Sequence, residues 1–250
     1  MKKTSIALIV LATLGLSNSF AATGHGPHWS YEGKEGPAHW GELSDEFKAC
    51  KLGKSQSPLD IDTKLVKKST AGQIKTGYKA SAAELVNNGH TIQVNLKDGG
   101  SANLGGTEYK ILQFHFHTPS EEKIDGKAYP INVHLVHKSS DGKLGVIGVF
   151  FKEGKENAAL KDIFANLPSK ESKAALAKNF NAQDLLPSSA SYYSYTGSLT
   201  TPPCSESVSF FILKNPIEMS SAQLASFKKV FKMNARPVQA LNGRTIQASE

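Results

Sequence analysis

Gln113-Phe114-His115-Phe116-His117 alternates strictly between polar and aromatic side chains. In a strand, alternate side chains share one face. His115 and His117 therefore point together, roughly 6.5–7 Å apart along the chain, while Phe114 and Phe116 point the other way into a core. A second run, Asn132-Val133-His134-Leu135-Val136-His137, offers another strand histidine. Asp125-Gly126 lies between the two runs and allows an antiparallel return, which brings His134 beside the pair. Three neutral imidazoles with one open position are the pattern of catalytic zinc. The pair alone would equally suit packed or surface histidines, and the third histidine strengthens the metal reading. Glu121 and Glu122 follow the first strand as candidate acid–base or ligand-supporting groups, or as an exposed acidic turn. His25, His28 and His39 have no metal-like spacing.

Outward from this stretch the chain reads as β-structure. Turn signals recur at Asn87-Asn88-Gly89, Asp98-Gly99-Gly100, Gly105-Gly106, Asp125-Gly126, Asp141-Gly142 and Asn242-Gly243. Between them lie short runs rich in β-branched and aromatic residues: Thr91–Leu96, Ile111–His117, Ile131–His137, Gly145–Phe151 and Val208–Leu213. This pattern predicts a mainly β (α+β) architecture. Two helices are expected. Ser220-Ser221-Ala222-Gln223 forms a capping box, after which Leu224, Phe227 and Phe231 share one helical face. Asn157–Leu167 is the other, stopped by Pro168.

The start of the chain does not read as fold. Met1-Lys2-Lys3 is basic, Ile6 to Leu16 is apolar, and Ser19-Phe20-Ala21 puts small residues where a signal peptidase reads. This predicts a signal peptide over 1–21. The alternative, a membrane anchor, needs ~20 apolar residues, more than this stretch offers. Removing 21 of 250 residues leaves 229, enough for a single domain over 22–250. Losing Lys2 and Lys3 reduces 29 basic residues to 27, against 22 acidic ones. They are scattered, with no basic cluster or aromatic platform for nucleic acid. Two cysteines, Cys50 and Cys204, in an exported chain suggest one disulfide, with two buried free thiols as the alternative.

At this point the sequence resembles the α-type carbonic anhydrases, over nearly the whole mature chain. The matching segments run in order: His28-Trp29-Ser30-Tyr31, Gly36-Pro37-Ala38-His39-Trp40-Gly41, Gln56-Ser57-Pro58-Leu59-Asp60-Ile61, Asn87-Asn88-Gly89-His90-Thr91, Gln113 through Glu121, His134 through His137, Tyr195 through Cys204, and Arg236-Pro237-Val238-Gln239. The resemblance implies a large, twisted, mostly antiparallel central sheet with short surface helices. It implies reversible hydration of carbon dioxide to bicarbonate and a proton, by zinc-bound hydroxide with a histidine shuttle. It makes His115, His117 and His134 the Zn²⁺ ligands, Thr200 and Glu121 the pair that orients the hydroxide, and His90 the shuttle. Val136, Val146 and Leu199 become the apolar wall for carbon dioxide. Thr201, Tyr31, Asn88 and Gln93 line the rest of the pocket, and Gln113 accepts from a zinc histidine. Cys50 and Cys204 match the disulfide positions of extracellular members, which implies a periplasmic or secreted enzyme. The expected partner is a small-molecule substrate, with no nucleic acid and no membrane span in the mature chain. Homodimerisation stays open.

Three positions depart from the family pattern. Asn132 stands where Glu is usual, Glu122 where His is usual, and Phe210 where Trp is common. Asn132 is expected to accept the ring N–H of His134 through its side-chain oxygen, without a carboxylate's charge. Relocation of the acid between positions 132 and 122 is the other reading. The alternative function is a catalytically dead relative kept as a binding module. Such relatives lose zinc histidines, whereas this chain keeps all three together with Thr200, Glu121 and His90.

Overall fold

The computed structural model describes residues 27–69, 72–165 and 167–249, so the leader expected over 1–21, its cleavage after Ala21, and His25 lie outside the described residues. Among the described residues one 13-stranded sheet dominates. Its middle consists of β1 (Ala83–Asn87), β2 (Ile92–Leu96), β3 (Thr107–His117), β4 (Ile131–Ser139), β5 (Leu144–Glu153), β6 (Tyr192–Ser198) and β7 (Glu206–Leu213). In space the order is β1-β2-β3-β4-β5-β7-β6. These neighbours are antiparallel except β5 and β7, which run parallel. The architecture is the large, mostly antiparallel sheet with short helices that the sequence implies. The path ends on Ser172–Ala175 at one edge and Lys67–Lys68 at the other, and lysines on an edge strand oppose further pairing.

Alternation assigns the two faces. Phe114 and Phe116 of β3, Ile131, Val133 and Leu135 of β4, and Ile147, Val149 and Phe151 of β5 all enter the larger core. Helix α1 (Ser221–Val230) and the short helix Lys161–Ala165 cover that core, with Phe116 packed edge-on to Phe164 and Phe227. Each such side chain contributes about 1.5–3 kcal/mol by leaving water. Ser220 caps α1 in the expected capping box, and Leu224 and Phe227 are buried. The helix expected over Asn157–Leu167 is a 3₁₀ turn, Ala158–Leu160, followed by one helical turn and a little more.

Two local irregularities aim the site. Asp125 (φ 49°) and Gly126 (φ 78°) are both left-handed and close the small hairpin Lys123–Ile124/Lys127–Ala128, as a two-residue turn of this twist requires. In β3, Gln113 pairs with Val136 and Ile111 with His137, so Leu112 is passed over as a bulge. The bulge switches parity. Tyr109 and Ile111 enter the core with Phe114 and Phe116, Leu112 is exposed, and Gln113, His115 and His117 occupy the other face.

Candidate metal centre

The face opposite the larger core holds a cavity of about 170 Å³. β3 supplies His115 and His117, and β4 supplies His134, paired directly across from His115. One ring nitrogen of each histidine is tied to an acceptor. His115 Nδ1 donates to Gln113 Oε1 at 2.8 Å, His117 Nδ1 donates to the Asn234 carbonyl at 2.8 Å, and His134 Nε2 donates to Glu122 Oε2 at 3.0 Å. The other nitrogens turn to a common point, with all donor atoms within 4.8 Å of one another. His117 Nε2 is buried and has no hydrogen-bond partner. A buried polar atom left unpaired is costly, and His117 Nε2, converging with one nitrogen each of His115 and His134, fits a Zn²⁺ ion.

A metal needs unprotonated imidazoles, a state that the shifts of His115 and His117 favour and that of His134 opposes. Burial, reinforced by His134, lowers His115 to about 3. Burial, then His134 and His115, hold His117 well below its usual range against the Asn234 carbonyl. For His134, burial pushes downward but the charge and hydrogen bond of Glu122, with the charge of Glu121, outweigh it, and the net shift is upward. Burial raises Glu121 to about 7. His134 pulls it down, Glu122 raises it, and hydrogen bonds from the Arg236 N–H and the Thr200 hydroxyl pull it down again. Glu121 Oε2 lies 3.4 Å from His117 Nε2 and 3.7 Å from His134 Nδ1.

Val136, Val146 and Leu199 form an apolar side of the cavity, joined by Val208 and Phe210. Tyr31, Asn88, Gln93 and Thr201 lie along it with Thr200 and His90. Phe210, in place of the usual tryptophan, stacks flat on Tyr195 at 4.9 Å. His90 is half-buried and stacks on Trp29, with ring centroids 3.6 Å apart and planes 8° from parallel. Asn88 does not offer its carbonyl to the cavity: Oδ1 accepts the N–H groups of His90 and Thr91 and so shapes the turn beneath the shuttle candidate. The second histidine of the HLVH run, His137, faces the core and is bonded to the Tyr78 hydroxyl at 2.6 Å.

The structure corrects one expectation. Asn132 does not accept the His134 ring proton through its oxygen. Asn132 Oδ1 instead accepts the N–H of Glu121 at 3.3 Å, and its Nδ2 faces His134 and Glu122. The acceptor for His134 is Glu122. Sequence reading also missed Asn234, whose backbone carbonyl holds His117. Every residue carries a carbonyl, so no residue-type signal marks this one. Its Nδ2 also donates to the His90 carbonyl at 3.0 Å.

Cys50 and Cys204 form a disulfide, with Cα atoms 5.0 Å apart and a sequence separation of 154. Gln56 donates to the Cys204 carbonyl and Arg236 to that of Cys50. Arg236 also bonds Glu121 through its N–H, so the bridge anchors the loop that carries Thr200. Replacing both cysteines with serine should destabilise the protein by about 5 kcal/mol or less, the chain-entropy bound for such a loop. Denaturant unfolding measures this, and an unchanged midpoint would contradict it.

The family model for eukaryotic-type carbonic anhydrase matches residues 35–250. A carbonic anhydrase of Nostoc sp. is 40% identical, covering 98% of this chain and 96% of that protein. One from Klebsiella pneumoniae is 42% identical, covering 98% and 99%. Among solved structures, the α-carbonic anhydrase of Thermovibrio ammonificans in complex with sulfanilamide superposes with a TM-score of 0.87 at 44% identity, over 89% of this chain and all of that one. Dioscorin complexed with ascorbate superposes with a TM-score of 0.83 at 31% identity, over 88% and 97%.

Proposed function

This chain belongs to the eukaryotic-type (α) carbonic anhydrase family, and from that premise we propose that it is an exported zinc enzyme that hydrates carbon dioxide reversibly through a histidine shuttle. One observation carries the zinc reading: each of three histidines has one nitrogen tied to an acceptor, and the three remaining nitrogens converge on the cavity. Zn²⁺, when bound, supplies the Lewis acidity that makes a nucleophile from water near neutral pH.

The chain's residues do the rest. Gln113, Asn234 and Glu122 fix the ring orientations. Thr200 gives its hydroxyl proton to Glu121, which leaves its oxygen to accept from the attacking oxygen and so to aim a lone pair at carbon. The Thr200 N–H receives an oxygen of the substrate. Val136, Val146 and Leu199 hold carbon dioxide at reacting distance, where orientation lowers the barrier. Tyr31, Gln93 and Thr201 organise water toward His90. Thr200→Val, which removes the hydroxyl at constant shape, should lower turnover about 10²–10³-fold, as loss of one positioned hydrogen-bonding group does. Turnover within twofold of the parent would remove Thr200 from the mechanism.

The disulfide is compatible with an oxidising compartment, and no helix among the described residues is long and apolar enough to cross a membrane. Together with the leader expected over 1–21, the disulfide supports a periplasmic or secreted location. Stopped-flow hydration of carbon dioxide by the purified protein tests the function. A rate above buffer background that vanishes with a zinc chelator is expected, and a rate equal to background would overturn the reading.

A further inference from the structure

His134 lies between two consecutive carboxylates. Glu121 Oε2 faces its Nδ1 at 3.7 Å and Glu122 Oε2 meets its Nε2 at 3.0 Å. Three donors converge on Glu122: the His134 ring N–H, the Asn132 amide at 3.0 Å, and the Tyr195 hydroxyl at 3.2 Å. Glu122 and Asn132 are fully buried and His134 nearly so. A buried carboxylate is tolerated only with such partners. The direction of the Asn132 amide follows from its surroundings. The Glu121 N–H needs an acceptor and the Glu122 carboxylate needs a donor, so oxygen faces the first and nitrogen the second. Asn132 Nδ2 and His134 Nε2 also lie 3.0 Å apart. Two N–H donors cannot bond each other, which leaves Glu122 as the acceptor for the ring.

We propose that Glu122 is the positioning carboxylate that orients His134 toward the metal, and that Asn132 is the clamp that aims Glu121 and Glu122 to opposite ends of that ring. The acid and its neutral neighbour have exchanged places relative to the family pattern, with the charge beside the ring preserved. This rests on the reading of His115, His117 and His134 as zinc ligands. A carboxylate behind a ligating imidazole raises its basicity and fixes its tautomer, and such partners are typically worth about 10–100-fold in metal affinity. The two positions are then coupled. An acid at 132 beside Glu122 would bury two like charges about 3 Å apart, and a histidine at 122 beside Asn132 would leave His134 Nε2 with no carboxylate acceptor.

The test is zinc release from the loaded protein into excess chelator, followed by a metal-sensitive dye. Glu122→Gln should release zinc about 10–100-fold faster than the parent. Asn132→Glu alone should lower the melting temperature of the metal-free protein. The double variant Glu122→His/Asn132→Glu should recover a release rate close to that of the parent, a coupling that a double-mutant cycle reads directly. A double variant that folds where Glu122→His alone does not is the same recovery. Parent-like release from Glu122→Gln would overturn the proposal, as would a double variant no slower than Glu122→His. A parent protein that never retains zinc would instead overturn the zinc reading on which this rests.

Discussion

His117→Ala should remove bound zinc and carbon dioxide hydration together. His117 is 1% exposed, its Nδ1 is held by the Asn234 carbonyl, and its buried Nε2 has no hydrogen-bond partner. Replacing it with alanine leaves two imidazoles, one fewer than a catalytic zinc site with an open position requires. Hydration should fall to the buffer background, and metal analysis should find less than stoichiometric zinc. His137→Gln is the control. His137 is just as buried, but it sits on the core face, bonded to Tyr78 and the Gly145 carbonyl. That variant should lose stability and keep its zinc. A His117→Ala protein with full zinc and full activity would dismantle the ligand assignment.

His90→Ala should lower turnover steeply in weak buffer, while small imidazole-type buffers should restore part of it. An acid of pKa about 7 recombining at a diffusion limit of roughly 10¹⁰ M⁻¹s⁻¹ releases only about 10³ protons per second to bare water. Turnover of about 10⁶ per second, a general reference value for zinc-bound hydroxide that itself comes from carbonic anhydrase, would need a relay. His90 stands at the cavity wall, and its turn is fixed by Asn88 and Asn234. Burial and the neighbouring His28 lower its pKa from 6.5, partly offset by Glu171. Only the unprotonated ring accepts a proton, so turnover in weak buffer should fall as pH drops through a value below 6.5. The Ala variant should lack that inflection. Parent-like turnover in weak buffer would assign proton release to another group.

The residues differ in how plainly the sequence announces them. QFHFH was legible because period-two alternation is a local property, and it put two histidines on one face and two phenylalanines in the core. The bulge at Leu112 was not, because extending the same alternation would set Ile111 on the histidine face. Only pairing with β4 reveals the skipped residue. The capping box marked α1 because its hydrogen bonds join residues three apart. β1 and β6 lack such a signature, and one edge of each pairs with a distant segment, Ser172–Ala175 and Gln247–Ala248 respectively. Around His134 the residue types were read correctly, but the acceptor was assigned to Asn132 by position. The contact that decides it, between Glu122 and His134, depends on how the turn after β3 brings the two acids alongside β4.

The most direct measurement is a zinc titration of metal-free protein with hydration activity as the readout. Activity should rise linearly with added Zn²⁺ and saturate at one equivalent per chain, because one convergent set of three histidine nitrogens is present among the described residues. Full activity without metal, or zinc binding that brings no activity, would contradict the account.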